Sequence, residues 1–317
     1  MKKTVFIKNA LILTASSLLL RFAGIIFKVW LAAKIGAEGI GLYQLIFSVY
    51  VLVASFATVG ICTAVTRLIS EEAALGSAKG IKRIVRRSIE LTLIIALFSL
   101  AAVFFGADFI AEKFLGDIRA SVSLKILGFS LPFMGISSCI KGYFIAFRKV
   151  SPPATAQIIE QIIRIGLIMF IIMHVDAMNL TNACAAILLG DTIAEAASAV
   201  YIYILYCLDK KHLSGLSGRQ NPPYSVTREI GRISTPITLG RYLNSGLRTI
   251  ENILVPKNLA RFSTSSNALA GFGMIKGMAL PLLFFSVGAF EFHIHVTYTR
   301  NVRSGGNGEC KNSKIRY

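Results

Sequence analysis

Acidic residues, and the residue types that usually carry chemistry, are scarce in this chain. Its 317 residues include only 16 Asp and Glu, four His, five Cys and one Trp. The cysteines show neither a CxxC pair nor any other metal-ligand spacing, so no metal site is indicated. We find no Walker motif and no nucleophile–base arrangement. The sequence therefore predicts neither an enzyme nor an ATP-driven pump, and it indicates no cofactor.

The charge that is present is mainly basic and is spread along the chain. With 34 Lys and Arg the formal net charge is +18, which on its own would suit a nucleic-acid-binding protein. The cations, however, lie between apolar segments, where the orientation signals of membrane proteins are found. We therefore expect the partner to be a lipid bilayer and not nucleic acid.

Apolar residues dominate the chain and lie in long runs. They make up 54% of the residues, and the mean hydropathy is +0.65. Several runs reach the roughly 20 residues that a transmembrane helix needs, whereas a β-barrel would show short alternating segments. The sequence predicts an all-α polytopic membrane protein with eight spans. These are residues 6–33, 41–68, 88–113, 121–147, 154–175, 181–207, 229–256 and 266–290.

The connections between the predicted spans alternate in charge. The connection after the second span contains Lys79, Lys82, Arg83, Arg86 and Arg87. By contrast, residues 108–120 hold three acidic residues against two cations. Cytoplasmic loops of membrane proteins are enriched in Lys and Arg. The alternation, with Lys2, Lys3 and Lys8 before the first span, predicts a protein of the cytoplasmic membrane whose N-terminus is in the cytoplasm.

A long polar connection divides the predicted spans into two groups. Residues 208–228 are rich in Gly and Ser and contain a Pro-Pro pair, a composition typical of a break between helices. We expect residues 1–207 to form a six-helix lobe. We expect residues 208–228 to be a cytoplasmic linker and residues 229–290 to begin a second lobe with two helices.

Some predicted spans carry cations at helical spacing. Arg21 and Lys28, in "RFAGIIFK", are seven residues apart and so share a helix face; Arg241 and Arg248 repeat this spacing. A cation at mid-membrane costs at least ~2.5 kcal/mol on insertion scales, and such residues usually face a protein interior or a wet cavity. Arg21, Arg241 and Arg248 are our candidates for lining a pathway. Lys28 is a fourth, with the alternative that it reaches the interface if the first span ends early.

Carboxylates also occur inside the predicted spans. Asp191 and Glu195 share one face of the sixth span, and Glu251 lies one turn beyond Arg248. These three are candidates for proton or cation coupling. Glu160 and Arg164 are an i,i+4 pair, and we expect them to form a structural ion pair within one helix.

Two shorter motifs are weaker. The glycines of "GFGMIKG", residues 271–277, lie in an apolar helix and indicate small-residue helix packing more than a phosphate-binding loop. His293 and His295 form an HxH motif, but two histidines alone do not make a metal site.

Particular stretches resemble a known transporter superfamily. The segment "GAEGIGLYQLIFSVYVLVASFATVGICTAVTRLISEE", residues 36–72, resembles the second-helix region of the multidrug/oligosaccharidyl-lipid/polysaccharide (MOP) exporter superfamily. It is most similar to the branch that holds the stage V sporulation protein B family and the peptidoglycan lipid II flippases. The preceding "LLLRFAGIIFKVWLAAKIG" and the later "GMALPLLFF" are similar to the first and eighth helices of that branch. The resemblance covers about residues 5–285.

The resemblance implies a MATE-like fold in which two helical bundles, together about 12–14 helices, surround a central cavity and work by alternating access. It implies a polyprenyl-diphosphate-linked sugar as substrate and essential basic residues on the first helix and in the second lobe. The matching helices here carry Arg21 and Lys28, and Arg241 and Arg248. A diphosphate must cross ~30 Å of hydrocarbon, and cations in a wet cavity would replace hydration that it loses.

Other functions stay open at this point. A cation-coupled multidrug antiporter of the same superfamily would bind cationic compounds, and Asp191, Glu195 and Glu251 keep that alternative open. For either transporter, Na⁺, H⁺ and the membrane potential are the candidates for coupling. A third alternative is a non-transporting membrane protein or a non-functional truncated product, because eight spans are fewer than the family usually has.

The helical pattern ends after Phe285. Residues 291–317 are of mixed polarity and predict a disordered or aberrant tail. A frameshift is our explanation. One permitted set of codons for residues 286–310, read from the second base, continues the apolar helix and ends it in Pro-Glu-Met-Ser-Glu. That ending resembles "VTRLISEEA", which closes the second span.

Overall fold

The computed structural model describes residues 3–174, 180–210, 225–262 and 264–280, and within these ranges the chain is helical with no strand. The helices are α1 (Lys3–Ala74), α2 (Ala78–Phe109), α3 (Ala120–Gly128), α4 (Ser130–Ala146), α5 (Ser151–His174), α6 (Leu180–Asp209), α7 (Val226–Leu259) and α8 (Ser265–Phe272). π-helical turns extend α2 through Ile110–Leu115 and α8 through Gly273–Ala279. The predicted all-α class is confirmed.

The first helix is too long for one membrane crossing. Its 72 residues correspond to roughly 108 Å at 1.5 Å per residue. The helix bends at Gly36, whose φ of 71° and ψ of 175° are not helical. Glycine adopts a positive φ readily because it has no Cβ. The bend lies between predicted spans 6–33 and 41–68, so α1 contains both.

Five helices of the described chain are long and apolar enough to cross a membrane. They are Ser16–Ala74, Ala78–Leu115, Ala120–Ala146, Ser151–His174 and Leu180–Asp209. Since the first covers residues 16–33 of the first predicted span and all of the second, these helices correspond to predicted spans one to six. The seventh, α7, is not among them, and the eighth runs past residue 280, beyond the described residues. The full count of eight spans stays a prediction.

The surface of α2 is typical of a helix that faces lipid. Its large aromatic residues point outward, with Phe98 74% and Phe105 83% exposed. Its buried positions hold small residues such as Ala96 and Ala107. A water-soluble helix would bury the aromatic rings. The arrangement supports a multi-pass membrane protein.

Glycines let α7 and α8 approach the second half of α1 closely. A methyl group added at Gly60 would overlap the carbonyl oxygen of Ser234 on α7. One added at Gly273 would overlap the carbonyl oxygen of Ala37. Small residues bring membrane helices together in this way. The glycines of residues 271–277 therefore serve packing at least at Gly273, as we expected.

The predicted division into lobes is not tested. Most of the predicted linker, residues 211–224, lies outside the described residues, and so do His293, His295 and the whole tail after residue 280. The six-helix lobe, the linker and the frameshift stay predictions.

Candidate functional site

A cavity of about 300 Å³ lies between the second half of α1 and helices α3 to α7. Its charged lining residues are Glu160 and Arg164 of α5, Asp191 and Glu195 of α6, and Arg241 of α7. The remaining wall includes aromatic and hydroxyl side chains of α1, among them Phe47, Tyr50 and Thr58. We call this space the central cavity.

Arg164 joins the carboxylates of two helices. Its Nη2 lies 2.8 Å from Oε1 of Glu160, one turn earlier on α5. Its Nε lies 2.8 Å from Oδ1 of Asp191 on α6, and its Nη1 donates a hydrogen bond of 3.1 Å to Oε1 of Gln161. Asp191 and Glu195 are one turn apart on α6 and face the same cavity. We call Glu160, Arg164, Asp191 and Glu195 the Arg164 cluster.

The contact between Arg164 and Asp191 is an ion pair without an aligned hydrogen bond. At 2.8 Å the atoms are close, but the Nε–H is not directed at Oδ1, and neither atom has a hydrogen-bond partner among the described residues. The other oxygen, Oδ2, accepts a long hydrogen bond of 3.4 Å from Tyr43 of α1. Asp191 is only 7% exposed. A buried carboxylate held this loosely depends on the nearby cation for its stability.

The central cavity is not purely cationic. Two guanidinium groups, of Arg164 and Arg241, face three carboxylates there. The prediction of a cationic cavity therefore differs from the observed lining, in which carboxylates outnumber cations. Of the predicted coupling residues, Asp191 and Glu195 line this cavity.

The first-helix cations lie elsewhere. Arg21 is exposed on α1. Lys28 is partly buried and lines a separate cavity of about 390 Å³ with Ile25, Val29 and Gly277. Neither residue lines the central cavity in this conformation.

The predicted residues of α7 are distributed along that helix. Arg241 and Arg248 are both exposed, but only Arg241 lines the central cavity, and Arg248 donates a hydrogen bond of 3.3 Å to Oδ1 of Asn244. Glu251 is paired with Lys276, whose Nζ lies 2.7 Å from Oε1 of Glu251. The structure thus brings together Arg241, Asp191 and Glu195, but not Arg248 or Glu251. The functional roles of all seven predicted residues stay predictions.

The sequence did not lead us to expect Arg164 in the central cavity. The expected ion pair with Glu160 is present, but the same guanidinium also reaches α6 and lines the cavity. The available signal was its position within an apolar span, where an ionisable residue usually faces a protein interior or a wet cavity.

A second polar cavity, of about 560 Å³, is lined by Glu38, Arg119, Lys257 and Ser266 among others. Arg119 pairs with Asp117 at 2.6 Å and with Glu38 at 3.0 Å. Hydrogen bonding to Asp117 raises the pKa of Arg119 above its ordinary value, against the opposing effect of partial burial. Arg119 therefore stays charged at any physiological pH. We call Glu38, Asp117, Arg119 and Ser266 the Arg119 network.

No metal centre is formed by the part of the chain that the structure describes. Within it, no group of three or more His, Cys, Asp or Glu side chains is arranged to hold a metal ion.

Comparison with curated proteins identifies relatives along most of the chain. The stage V sporulation protein B of Bacillus subtilis (strain 168) is 28% identical over 289 residues, covering 89% of this chain and 55% of that protein. The lipid II flippase MurJ of the same organism is 22% identical over 232 residues, covering 70% of this chain and 43% of that protein. The chain thus spans about half the length of these relatives. MurJ is named as a flippase, which is a transporter and not an enzyme, in agreement with the prediction for this chain.

Solved structures share the fold. A multidrug resistance MATE family transporter of the MOP superfamily, in an outward-facing conformation, superposes with a TM-score of 0.59 at 13% identity, covering 91% of this chain and 71% of that one. A MOP superfamily transporter from Pyrococcus furiosus gives 0.62 at 12% identity, covering 91% and 68%. These likenesses confirm the predicted MATE-like helical bundle.

The profile of one protein family matches residues 6–285, which is most of the chain. This range agrees with the resemblance inferred from the first, second and eighth helices. The chain belongs to the family described as "Polysaccharide biosynthesis protein".

Proposed function

We propose that this chain is part of a membrane flippase or exporter that moves the headgroup of a polyprenyl-diphosphate-linked glycan or peptidoglycan precursor. Family membership and the name of the relative MurJ support a flippase. The observation that carries the proposal is the central cavity, where the guanidinium groups of Arg164 and Arg241 face the same space.

The two guanidinium groups suit a diphosphate because of their geometry. A guanidinium binds phosphate oxygens in a bidentate manner, which a lysine ammonium cannot do. Arg241 forms no ion pair with another described residue and can therefore meet an anion directly. The cavity replaces part of the hydration that the diphosphate loses, and the prenyl tail stays in lipid.

The MATE-like fold supplies a route for the headgroup. In transporters of this kind a site near the middle of the membrane is opened alternately to each side. The proposal places the protein in the cytoplasmic membrane, with its N-terminus in the cytoplasm. In the proposal the headgroup is loaded from the cytoplasmic side.

The proposal is tested by binding to the purified full chain in lipid nanodiscs. Farnesyl diphosphate is the probe, and farnesol, which has the same tail without the diphosphate, is its control. We expect binding that depends on the diphosphate, and we expect Arg241→Gln to weaken it at least about tenfold, the loss of one charge-assisted contact.

Arg232→Gln is the matched variant, because Arg232 is an exposed arginine of the same helix paired only with Glu229 among the described residues. It should bind farnesyl diphosphate like the unmodified chain. Equal binding of farnesol and farnesyl diphosphate would overturn the proposal.

The carboxylates of the cavity favour a second candidate, a cation-coupled multidrug antiporter. Glu160, Asp191 and Glu195 would attract a lipophilic cation. The same nanodiscs test it with the cationic dye rhodamine 6G. Saturable dye binding that Asp191→Asn abolishes, with no binding of farnesyl diphosphate, would favour this candidate over the flippase.

A further inference from the structure

We infer that Arg164 is a charge-exchange residue: a substrate phosphate competes with Asp191 and Glu160 for its guanidinium, and the released carboxylate takes up a proton or a sodium ion. This inference rests on the proposed diphosphate substrate and adds to it the residue that links anion binding to cation uptake.

The first support is that two carboxylates already lie against one edge of the Arg164 guanidinium. One Nη contacts Glu160, the other donates to Gln161, and Nε lies against Asp191. The Arg164 side chain is 26% exposed and lines the central cavity, so an anion in the cavity can reach it. Nε and Nη2 form one edge of the guanidinium, and an anion that binds this edge in a bidentate manner must displace Asp191 or Glu160.

Asp191 has the poorer hydrogen-bond geometry of the two carboxylates that contact Arg164. Its Oδ1 contact with Arg164 lacks an aligned hydrogen bond, and the hydrogen bond from Tyr43 to Oδ2 is long at 3.4 Å. Glu160, by contrast, accepts a hydrogen bond of 2.8 Å from Arg164. Since the two contacts differ in quality, an incoming phosphate should replace Asp191 first.

A released Asp191 cannot stay as an unpaired anion. It is 7% exposed, and an isolated charge is strongly disfavoured in such a place. The charged and titratable groups around it are Tyr43 and Tyr50 of α1, Lys141 of α4, Glu160 and Arg164 of α5, Glu195 of α6, and Arg241 of α7.

Nothing among these neighbours replaces the lost partner at once. Neither Lys141 nor Arg241 forms an ion pair with Asp191 among the described residues. Glu195 lies one turn away on the same helix and adds negative charge to the same space. The nearby carboxylates therefore favour uptake of a proton or a sodium ion by Asp191.

The exchange makes the two binding events reciprocal. If anion binding promotes cation uptake, then cation uptake promotes anion binding by the same factor. A lower pH, if the ion is a proton, or a higher sodium concentration, if it is Na⁺, should tighten the binding of the diphosphate. The cation that Asp191 takes up also offsets part of the negative charge of the bound diphosphate.

The test measures the dissociation constant of farnesyl diphosphate on the full chain in nanodiscs. One series varies pH between about 6.5 and about 8.5 at constant sodium, and the other varies sodium against choline at constant pH. Because the probe itself titrates near pH 6, each variant is compared with the unmodified chain at the same pH. A response in only the first series identifies the proton, and a response in only the second identifies sodium.

Asp191→Asn keeps the shape of the side chain but neither holds Arg164 by charge nor takes up a cation. We expect it to bind the diphosphate about tenfold more tightly at neutral pH and to lose most of the response to pH or sodium. Glu160→Gln also frees a donor of Arg164 and should tighten the binding of the diphosphate too. If Asp191→Asn does not fold, the affinity of Glu160→Gln still tests the exchange. Arg164→Gln should bind weakly without any ion response, and Arg164→Lys should recover part of the affinity.

Glu229→Gln is the matched control, since it removes a carboxylate paired with Arg232 on the exposed part of α7. It should change neither the affinity nor the ion response.

If the unmodified chain binds the diphosphate but Arg164→Gln binds it equally well, the exchange is wrong and the proposed function stands. Unchanged affinity and unchanged ion response in both Asp191→Asn and Glu160→Gln would also overturn the exchange alone. Absence of diphosphate binding by the unmodified chain would overturn the proposed function and this inference with it.

Discussion

Arg119 and Glu38 are 81 positions apart in the chain, yet Nη2 of Arg119 lies 3.0 Å from Oε1 of Glu38. The other oxygen of Glu38 accepts a hydrogen bond of 2.7 Å from Ser266. Glu38 lies two residues after the bend of α1, Arg119 lies between α2 and α3, and Ser266 lies at the start of α8. The Arg119 network therefore ties the bend to α8 at one end of the bundle.

A disulfide in place of this contact should stop transport. Alternating access requires at least one end of the bundle to separate, and a bond between Glu38→Cys and Ser266→Cys would hold α8 to the bend. The variant is made in a chain whose five native cysteines are replaced by serine. We expect oxidation to reduce transport into proteoliposomes at least about tenfold, and reduction with dithiothreitol to restore it. Each single cysteine variant should be insensitive to oxidation, and full transport by the cross-linked chain would show that this end does not open.

Single substitutions that remove one charged residue of the Arg119 network should have small effects on the free energy of unfolding. The side chains of Arg119 and Glu38 are both about one-third exposed, and ion pairs of that kind contribute roughly 0–1 kcal/mol. We expect Arg119→Gln to lower the free energy of unfolding in detergent by less than about 1 kcal/mol. A much larger loss would mean that the network is a structural core element and not a contact that can open.

The predicted orientation can be tested at exposed positions. Lys82 and Ile118 are both exposed, one near the start of α2 and the other between α2 and α3. With the N-terminus in the cytoplasm, a membrane-impermeant thiol reagent added to intact cells should label Ile118→Cys and not Lys82→Cys. Lysed cells serve as the control, because both positions should then react. The opposite pattern in intact cells would reverse the orientation.

The order of the helices could be predicted from the sequence because a run of about 20 apolar residues matches the thickness of a membrane. The residues at which the helices begin and end could not be predicted in this way. The third predicted span begins at residue 88, whereas α2 begins at Ala78, capped by the side chain of Ser77, which accepts from the amide of Gly80. Hydropathy measures the part of a helix in lipid, and α2 continues beyond it through a polar turn.

The central cavity was only partly predictable for a different reason. The spacing of Asp191 and Glu195 predicts that they share a face, but not which helix that face meets. The contact between Arg164 and Asp191 joins residues 27 positions apart on two helices, and it depends on how α5 packs against α6. Likewise, Arg21 and Lys28 have the spacing of Arg241 and Arg248, yet only Arg241 of the four lines the cavity.

Close packing through Gly273 should be sensitive to one methyl group. Gly273→Ala would place its Cβ on the carbonyl oxygen of Ala37, so α8 must shift away from α1. We expect a loss of about 1–3 kcal/mol in the free energy of unfolding, measured with a graded series of denaturing detergent. Gly271→Ala is the control two residues earlier, because nothing lies within 4 Å of the added methyl group. It should be neutral or slightly stabilising, as alanine favours a helix over glycine. Equal loss in both variants would show that helix propensity, and not contact with α1, sets the outcome.

Substitutions of the two arginines Arg241 and Arg248 of α7 should differ in their effects on diphosphate binding. Both arginines are exposed, but only Arg241 lines the central cavity; Arg248, two turns later, is hydrogen bonded to Asn244. In the nanodisc assay we expect Arg241→Gln to weaken the binding of farnesyl diphosphate at least about tenfold and Arg248→Gln to change it less than about twofold. The sequence alone predicts that both residues, together with Arg21 and Lys28, bind the substrate. Transport distinguishes the two expectations further: if Arg248→Gln binds normally but transports slowly, Arg248 meets the substrate in another conformation of the cycle. Equal loss of binding in both variants would instead mean that the diphosphate extends along α7 past the central cavity.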